Sequence, residues 1–523
     1  MKINNFNFYK KKFSIYANET SKSEYYFDII FNIINKIKDQ KYDKNYIYSL
    51  IFKDIIIITE FINILKFYEK EKLFTKNYID IPFSSNDLEE MMFNNTLISS
   101  VYNLKILLNE KKNCKIKIYK KKNNEIYQGK KNFYQKIFFF LEKLFSRNKK
   151  VYFDFINFKL YLKSLFNGYI PIFFDQYRLS DKIDFINEYD HLFRKRIINE
   201  IKKQNLTEDD FFKLEIIIFL LPITKIESFE NLSNFYEKLP YNKNDIIMLS
   251  YTRYSDKSNF WLAKKLMITS KSFYYQYGSG IGTGLSHNHI EYNFKFFNYL
   301  LTWNSKKKIK NKFNQQIPCF YLFQKKPVKK YDILIVNTDN PYYFKNNNGP
   351  VFLQVKKVLK DQIELLNNIP TKFKTIVKNP DYKYNYANIE KTYLTFNHFE
   401  KIKKNKIQNL VAESKLVINT YYGTTLFQMM ANDIPNILII RKSHYKFNEE
   451  FNDYLAKLKK HNFIFYNSKN ATKFLKENFN YYLKYWDTDK DFIKLKEEFK
   501  DKFCPKNLDW QNSVAIKIFK KQN

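Results

Sequence analysis

The sequence predicts a mixed α/β chain, with two successive doubly wound parallel-sheet domains facing across a cleft behind a helical leader. Three observations carry this. Apolar residues recur at helical spacing from residue 23 to about 146, as in YYFDIIFNIINKIKD. From about residue 150 short β-prone runs alternate with helical stretches, and after a lysine-rich interruption the alternation restarts. Strands alternating with helices argue for parallel sheets covered on both faces. Ligands of such sheets bind beyond the carboxyl ends of the strands, here in the cleft between the domains.

The leader, residues 1–146, reads as helices joined by lysine-rich loops such as KKNCKIKIYKKKNNE. In the first α/β domain, residues 147–310, KKVYFDFI and YIPIFFDQ read as strands, and helical stretches follow from about Asp181 to Leu239. DIIMLSYT is the next strand, SNFWLAKKLMIT a helix, KSFYYQY a strand and YLLTW another. NSKKKIKNKFNQQ, after Trp303, is expected to be the linker. In the second domain, residues 325–523, YDILIVNTD, FKTIVKN, KLVINTY, NILIIR and FIFYN are five strands. VFLQVKKVLKDQIELL and NEEFNDYLAKLKKH are helices between them.

Composition narrows the function classes. At 523 residues with 45% apolar side chains, the chain is long enough for sizeable cores. Its 43 Tyr and 53 Phe set it apart from disordered chains despite a net charge of +37. Only six of the 90 basic residues are Arg, and readers of bases and phosphates favour the bidentate Arg fork, so the charge is weak evidence for nucleic acid. It favours anionic partners more generally, the inner membrane surface included. Three cysteines far apart, without CxxC or CxxH spacing, speak against a disulfide framework or zinc site and fit a reducing cytoplasm. The N-terminus lacks the apolar core of a signal peptide. DIIIITEFINILKF and LEIIIFLLPI, broken by Glu or Pro, read as buried helices rather than membrane spans.

Two short stretches carry chemistry. Half of the eight glycines, Gly278, Gly280, Gly282 and Gly284, fall on alternate positions just after a predicted strand and Gln276. Glycine lets backbone approach a ligand or a partner loop closely, although a glycine-kinked strand would read the same. The spacing is neither GxGxxG nor GxxxxGK[ST]. His287, His289 and Glu291 follow at once, bringing groups suited to general-base work near neutral pH. In NTYYGTTLFQMMANDIP a strand ends at Gly423, Thr424 and Thr425 and a helix begins, offering hydroxyls and unpaired amides to a phosphate; an ordinary capped helix is the alternative. Gln428 lies one turn further along.

Together these segments resemble a family. Residues 245–303, from DIIMLSYT through SNFWLAKKL and QYGSGIGTG to YLLTW, resemble bacterial surface-carbohydrate transferases whose core reads QHGG, then YG, then LTWGW. NTYYGTTLFQMMANDIP is similar to their C-terminal segment, a Ser/Thr-rich turn followed by Glu, a small residue, Asn and Pro. Such proteins are similar to GT-B glycosyltransferases, including those that build capsule and lipopolysaccharide sugars. The resemblance implies two Rossmann-like domains, with a nucleotide-sugar donor held mainly by the second and the acceptor mainly by the first. Tyr277 stands where the family places His, Gln428 where a GT-B enzyme grips a ribose diol with Glu, and Asn304 and Ser305 in place of GW. Gln keeps hydrogen-bonding capacity but loses the charge.

The expected activity is sugar transfer to a glycan or glycolipid acceptor, with no cofactor and no metal, since NTDNP at 337–341 is the nearest approach to a DxD pair. His289, His287 or Glu291, in that order, would act as base. Gly423 to Thr425, Lys378 and Arg253 would neutralise the departing phosphate. The expected location is cytoplasmic, with peripheral attachment to the inner face of the membrane through KIKIYKKK at 115–122. A CDP-polyol phosphotransferase would share this architecture. A basic nucleic-acid-binding protein, the reading from another class, would show clustered Arg on a recognisable module, and the sequence shows none.

Overall fold

The computed structural model describes residues 19–38, 42–70, 83–84, 96–110, 116–118, 136–141, 143–154, 158–174, 188–238, 241–250, 257–269, 271–276, 278, 281, 283, 296–305, 308–309, 312–319, 328–337, 353–378, 400–401, 407–445, 447–507 and 509–519. The described residues begin with helices α1 (Glu19–Lys38) and α2 (Lys44–Lys70), then β1 (Phe83–Ser84), α3 (Thr96–Asn109) and β2 (Lys117–Ile118). Next come β3 (Lys150–Phe153), α4 (Phe158–Phe166), β4 (Ile170–Phe173), α5 (His191–Lys202), α6 (Glu208–Leu220) and α7 (Phe229–Glu237). They are followed by β5 (Ile246–Leu249), α8 (Lys257–Ile268), β6 (Lys271–Tyr275), β7 (Tyr299–Thr302), β8 (Lys308–Ile309) and β9 (Lys312–Gln316).

The second run of elements is β10 (Tyr331–Val336), α9 (Leu353–Asn368), β11 (Thr375–Lys378), β12 (Glu400–Lys401), α10 (Ile407–Ala412), β13 (Ser414–Asn419) and α11 (Thr424–Ala431). It continues with β14 (Asn436–Ile439), α12 (Glu449–Lys460), β15 (Ile464–Phe465), α13 (Ser468–Thr488), α14 (Lys490–Phe503) and α15 (Trp510–Phe519). The larger sheet has the order β4-β3-β5-β6-β7-β9-β8, and a six-stranded sheet the order β12-β11-β10-β13-β14-β15. Each neighbouring pair of strands in the six-stranded sheet is parallel. The chain is therefore α/β with two parallel sheets, as the alternation of strands and helices predicts, apart from β8, which runs antiparallel to β9 at one edge. It divides into two compact units, residues 1–274 with 291–298 and residues 275–290 with 299–523.

In the first unit, β3, β4, β5 and β6 are parallel neighbours, and β3 and β5 are buried along their whole length. That is why β5 reads as an unbroken apolar run and β3 as one after its first residue, Lys150. Trp261 of α8 stacks on Phe174 at 4.5 Å and meets Tyr152 edge-on at 4.9 Å, so aromatic pairs lock helix to sheet. α2 and α6 are the two apolar runs that the sequence marks as buried helices. Ile55 to Ile58 are all buried in α2, and α6 buries Leu214 and Ile216 to Leu220. α6 starts at Thr207, whose hydroxyl accepts the Asp210 N–H at 3.1 Å, with three acids in its first turn.

Two clusters of buried charge inside this unit are paired. Asp245 accepts from the Lys150 N–H at 2.9 Å and from Lys265 Nζ at 2.7 Å. Arg194, fully buried, holds Glu227 through two bonds of 2.6 and 2.7 Å and donates to the Ile218 and Phe219 carbonyls at the end of α6. Asp54 of α2 is buried too, and among the described residues neither carboxyl oxygen has a hydrogen-bond partner. Burial raises its pKa to about 7, while Lys225 and Lys53 pull it back down.

The structure corrects the sequence at NSKKKIKNKFNQQ. This is not a linker: β8 and β9 occupy it, with β9 parallel to β7 in the register Leu300↔Asn314. Its polarity is used internally. The buried Asn314 accepts from the Thr302 hydroxyl at 2.7 Å and donates to the Asn304 carbonyl at 2.8 Å. The sequence also gives no sign of β12 or of the parallel pair β1 and β2. The described part of KIKIYKKK includes buried Ile116 and strand β2.

Candidate functional site

In the six-stranded sheet the chain steps outward from β10 to β11 and β12 on one side and from β13 to β14 and β15 on the other. The crevice between β10 and β13 is thus the switch point at which doubly wound sheets bind ligands. Thr420, just past β13, is tied into this edge. Its N–H donates to the Val336 carbonyl at 3.1 Å, and its hydroxyl lies 3.0 Å from Asn337 Oδ1 and accepts from Gln362 Nε2 of α9 at 3.1 Å. The Asn337 N–H donates to the Lys378 carbonyl at 3.0 Å, so Lys378 ends the neighbouring strand at the same edge.

From Thr420 the chain turns through Gly423 into α11. Gly423 is the N-cap, so the helix begins without a side-chain cap. Its φ of −167° is ordinary extended backbone. The glycine is required for another reason: a Cβ there would stand 2.2 Å from Cε2 of Tyr421. The Tyr421 ring lies across the turn with its hydroxyl 3.2 Å from Thr425 Oγ1, and packs on the core formed by Leu334, Val336, Val417 and Met429. Within α11, Thr425 to Phe427 and Met429 to Ala431 are buried, which leaves Thr424 and Gln428 together on the one half-exposed face. The expected diol-binding side chain therefore sits one turn above the expected phosphate turn.

Asn419 lies beneath this turn. It is fully buried and shares the β13 face with Val417, which packs against Met429 of α11. Among the described residues its amide has no hydrogen-bond partner for either polar atom. Sequence reasoning singles out none of Asn337, Gln362, Asn419 and Thr420; Asn337, Asn419 and Thr420 lie at strand ends, and Gln362, inside α9, has no such signal.

The glycine-rich segment meets the same turn. Gln276 continues β6, its N–H donating to the Leu301 carbonyl at 2.7 Å. Its side chain accepts from the Trp303 N–H at 2.8 Å and donates to the Gly278 carbonyl at 2.9 Å. A Cβ on Gly278 would stand 3.0 Å from Thr424 Oγ1, so this glycine admits the threonine hydroxyl. Further along, the Thr283 hydroxyl bonds to the Tyr422 hydroxyl, and its carbonyl accepts the Asn448 N–H at 2.9 Å. Burial pushes the Tyr422 phenol pKa up, against the pull of the Thr283 bond, so it stays protonated. Tyr277, Gly280, Gly282, Gly284, His287, His289, Glu291 and Arg253 lie outside the described residues.

Beside Thr420 a small pocket is lined by Gln362, Ile440, Arg441, His444 and Tyr445 among others. Arg441 grips Asp361 of α9 with two nitrogens at its edge. Burial lowers the pKa of nearby Lys357, as does the Arg441 charge, while Asp361 raises it.

A helix N-terminus carrying two threonines, a lysine two strands away and an amide without a hydrogen-bond partner among the described residues thus share one edge of the sheet. The whole-chain comparison agrees with transfer chemistry: residues 22–518 match the LIC12162 family transferase. The chain belongs to this transferase family. No curated protein matches it. Among solved structures it is similar at 8% identity to spinosyn rhamnosyltransferase SpnG, with a TM-score of 0.32 over 72% of this chain and 100% of that one. It is also similar at 8% identity to SsfS6, a glycosyltransferase of Streptomyces sp. SF2575, with a TM-score of 0.31 over 70% and 99%. Likenesses this distant carry no argument about a transferase of this family.

Proposed function

We propose that the chain is a glycosyltransferase that moves a sugar from a nucleotide-sugar donor to a surface-polysaccharide or glycolipid acceptor without a metal or cofactor. The observation that carries the reading is the switch-point turn Gly423-Thr424-Thr425, opening a helix at the carboxyl edge of a parallel sheet with Gly278 seated on Thr424. The first N–H groups of α11 and the two threonine hydroxyls would bind the nucleotide phosphates, and Lys378 would add positive charge from the end of β11, two strands over. This fixed set of dipoles would stabilise the charge that develops on the leaving nucleotide. Gln428, on the same helix face as Thr424, would bond to the ribose. His289, then His287 and Glu291, are the proposed bases for the acceptor hydroxyl, with Arg253 a further cation. We place the protein in the cytoplasm, in peripheral contact with the inner face of the membrane.

The test is a thermal-shift panel with CMP, CDP, UDP, GDP and dTDP, each with and without EDTA. A ligand at a hundred times its dissociation constant stabilises by about 2.7 kcal/mol. One nucleotide should raise the midpoint, EDTA should leave that rise unchanged, and Lys378→Met should weaken binding about tenfold through loss of a charged contact. A panel without any rise, or a rise that requires a divalent cation, would overturn the reading.

A further inference from the structure

Helix α4 turns the wrong face outward. Leu160 and Ser164 point into the first unit, and Tyr161 meets Phe153 at 5.4 Å. The opposite stripe, at positions 158, 162, 165 and 166, follows helical spacing and carries Phe158, Leu162, Leu165 and Phe166. Phe158 is 73% exposed, Leu165 50% and Phe166 86%. The helix ends at Gly168, whose φ of +76° allows the Tyr169 N–H to reach back to the Ser164 carbonyl at 3.0 Å. The next N–H, of Ile170, donates to the Lys149 carbonyl at 2.8 Å. This bond brings the end of α4 beside segment 143–149, which continues from helical residues 136–141. There Phe140 is 62% exposed and Leu144 56%, while Phe138 is buried on Phe174 and Trp261.

The apolar stripe is interleaved with cations. Lys136, Lys143, Arg147, Lys149 and Lys159 are exposed and Lys163 is half-exposed, whereas Lys150 turns inward to Asp245. From residue 136 to 166 the only acids are Glu142 and Asp154, and Asp154 accepts from the Ser250 N–H at 2.8 Å and from its hydroxyl. Large apolar side chains presented outward among lysines suit a layer that is greasy below and negatively charged above. A second copy of this face would set like charges against each other, which argues against self-association.

We propose that α4 and the adjoining 136–149 segment form a docking surface for an anionic lipid membrane, with Phe158, Leu162, Leu165 and Phe166 entering the interface and the lysines meeting the headgroups. The proposal rests on the peripheral contact suggested above and on no other part of the functional reading. Nucleotide-induced stabilisation of the same preparation tells the two apart.

The test is co-sedimentation of the full chain with phosphatidylcholine vesicles, with and without phosphatidylglycerol, beside the variants Phe158→Ser/Phe166→Ser and Lys159→Gln/Lys163→Gln. Binding should require phosphatidylglycerol and weaken as salt shortens electrostatic reach. The partition coefficient should fall about tenfold for each phenylalanine removed and about fivefold for each lysine. The altered side chains are largely solvent-facing, so the unfolding midpoint should hold, which separates lost docking from lost folding. No sedimentation with anionic vesicles would overturn the proposal. So would sedimentation unaffected by the phenylalanine changes, which would mean charge alone attracts the chain. A concentration-dependent dimer that the phenylalanine variant abolishes would assign the face to a second copy and overturn it equally.

Discussion

Replacing Gly423 by alanine tests why the proposed phosphate turn contains glycine. At φ −167° the backbone accepts any residue, so an amide-approach argument alone predicts little loss of stability. The structure predicts a loss, because the new methyl would stand 2.2, 2.8 and 3.2 Å from Cε2, Cδ2 and Cζ of Tyr421. Ordinary contact needs about 3.4–4 Å, so the ring must retreat by more than an ångström from the core on which it packs. Overpacking of this kind costs about 1–3 kcal/mol. With Tyr421→Ala in place the methyl has room, and Gly→Ala should then stabilise by about 0.4–1 kcal/mol through the unfolded chain. The two substitutions should therefore couple by about 1.5–4 kcal/mol, read from urea unfolding of the four proteins of the cycle. An equal loss from Gly423→Ala in both backgrounds would show that the ring is not the obstacle.

Two further outcomes follow from buried polar groups. Gln276→Leu should destabilise by about 1–3 kcal/mol, since it leaves the Trp303 N–H buried without its acceptor, and Gln276→Glu, which keeps an acceptor, should cost less; matching urea midpoints for the two would refute the role. Asp54 holds its proton to higher pH in the folded chain than in the unfolded one, so its contribution to stability is complete below 3.8 and is lost as pH rises towards about 7. Asp54→Asn should accordingly flatten stability over that window and gain on the parent protein at pH above it, by about 1.4 kcal/mol for every tenfold difference in proton affinity between the folded and unfolded carboxyl. Parallel pH profiles for the two proteins would contradict this.

Legibility followed burial. β10, β13 and β14 are parallel strands buried on both faces, so each is a near-continuous apolar run that the sequence announces. β9 fails that criterion because its buried Asn314 is satisfied by Thr302 and Asn304, partners that only folding supplies. The same split runs through the site. The Gly423-Thr424-Thr425 turn is visible because strand, turn and helix are consecutive. The Asn337, Gln362 and Thr420 contacts join residues 58 and 83 apart and leave no spacing to detect. For Gly278 the partner loop that its sequence context suggests is the Thr424 side of that turn.

Arginine offers a criterion that the sequence raises and the structure sharpens. In a chain with six Arg among 90 basic residues, arginine should persist where lysine cannot serve, and the planar fork is the property lysine lacks. Two of the four described arginines use it. Arg194 holds Glu227 while capping the end of α6, and Arg441 holds Asp361 at the edge of the pocket beside Thr420. Lysine at either place would keep a charge but reach only one carboxylate oxygen at a time. Arg441 follows β14 at the same sheet edge as Thr420, and its pairing to α9 fixes the wall of that edge. At these two places the scarce residue therefore marks a fixed geometry rather than a pool of charge.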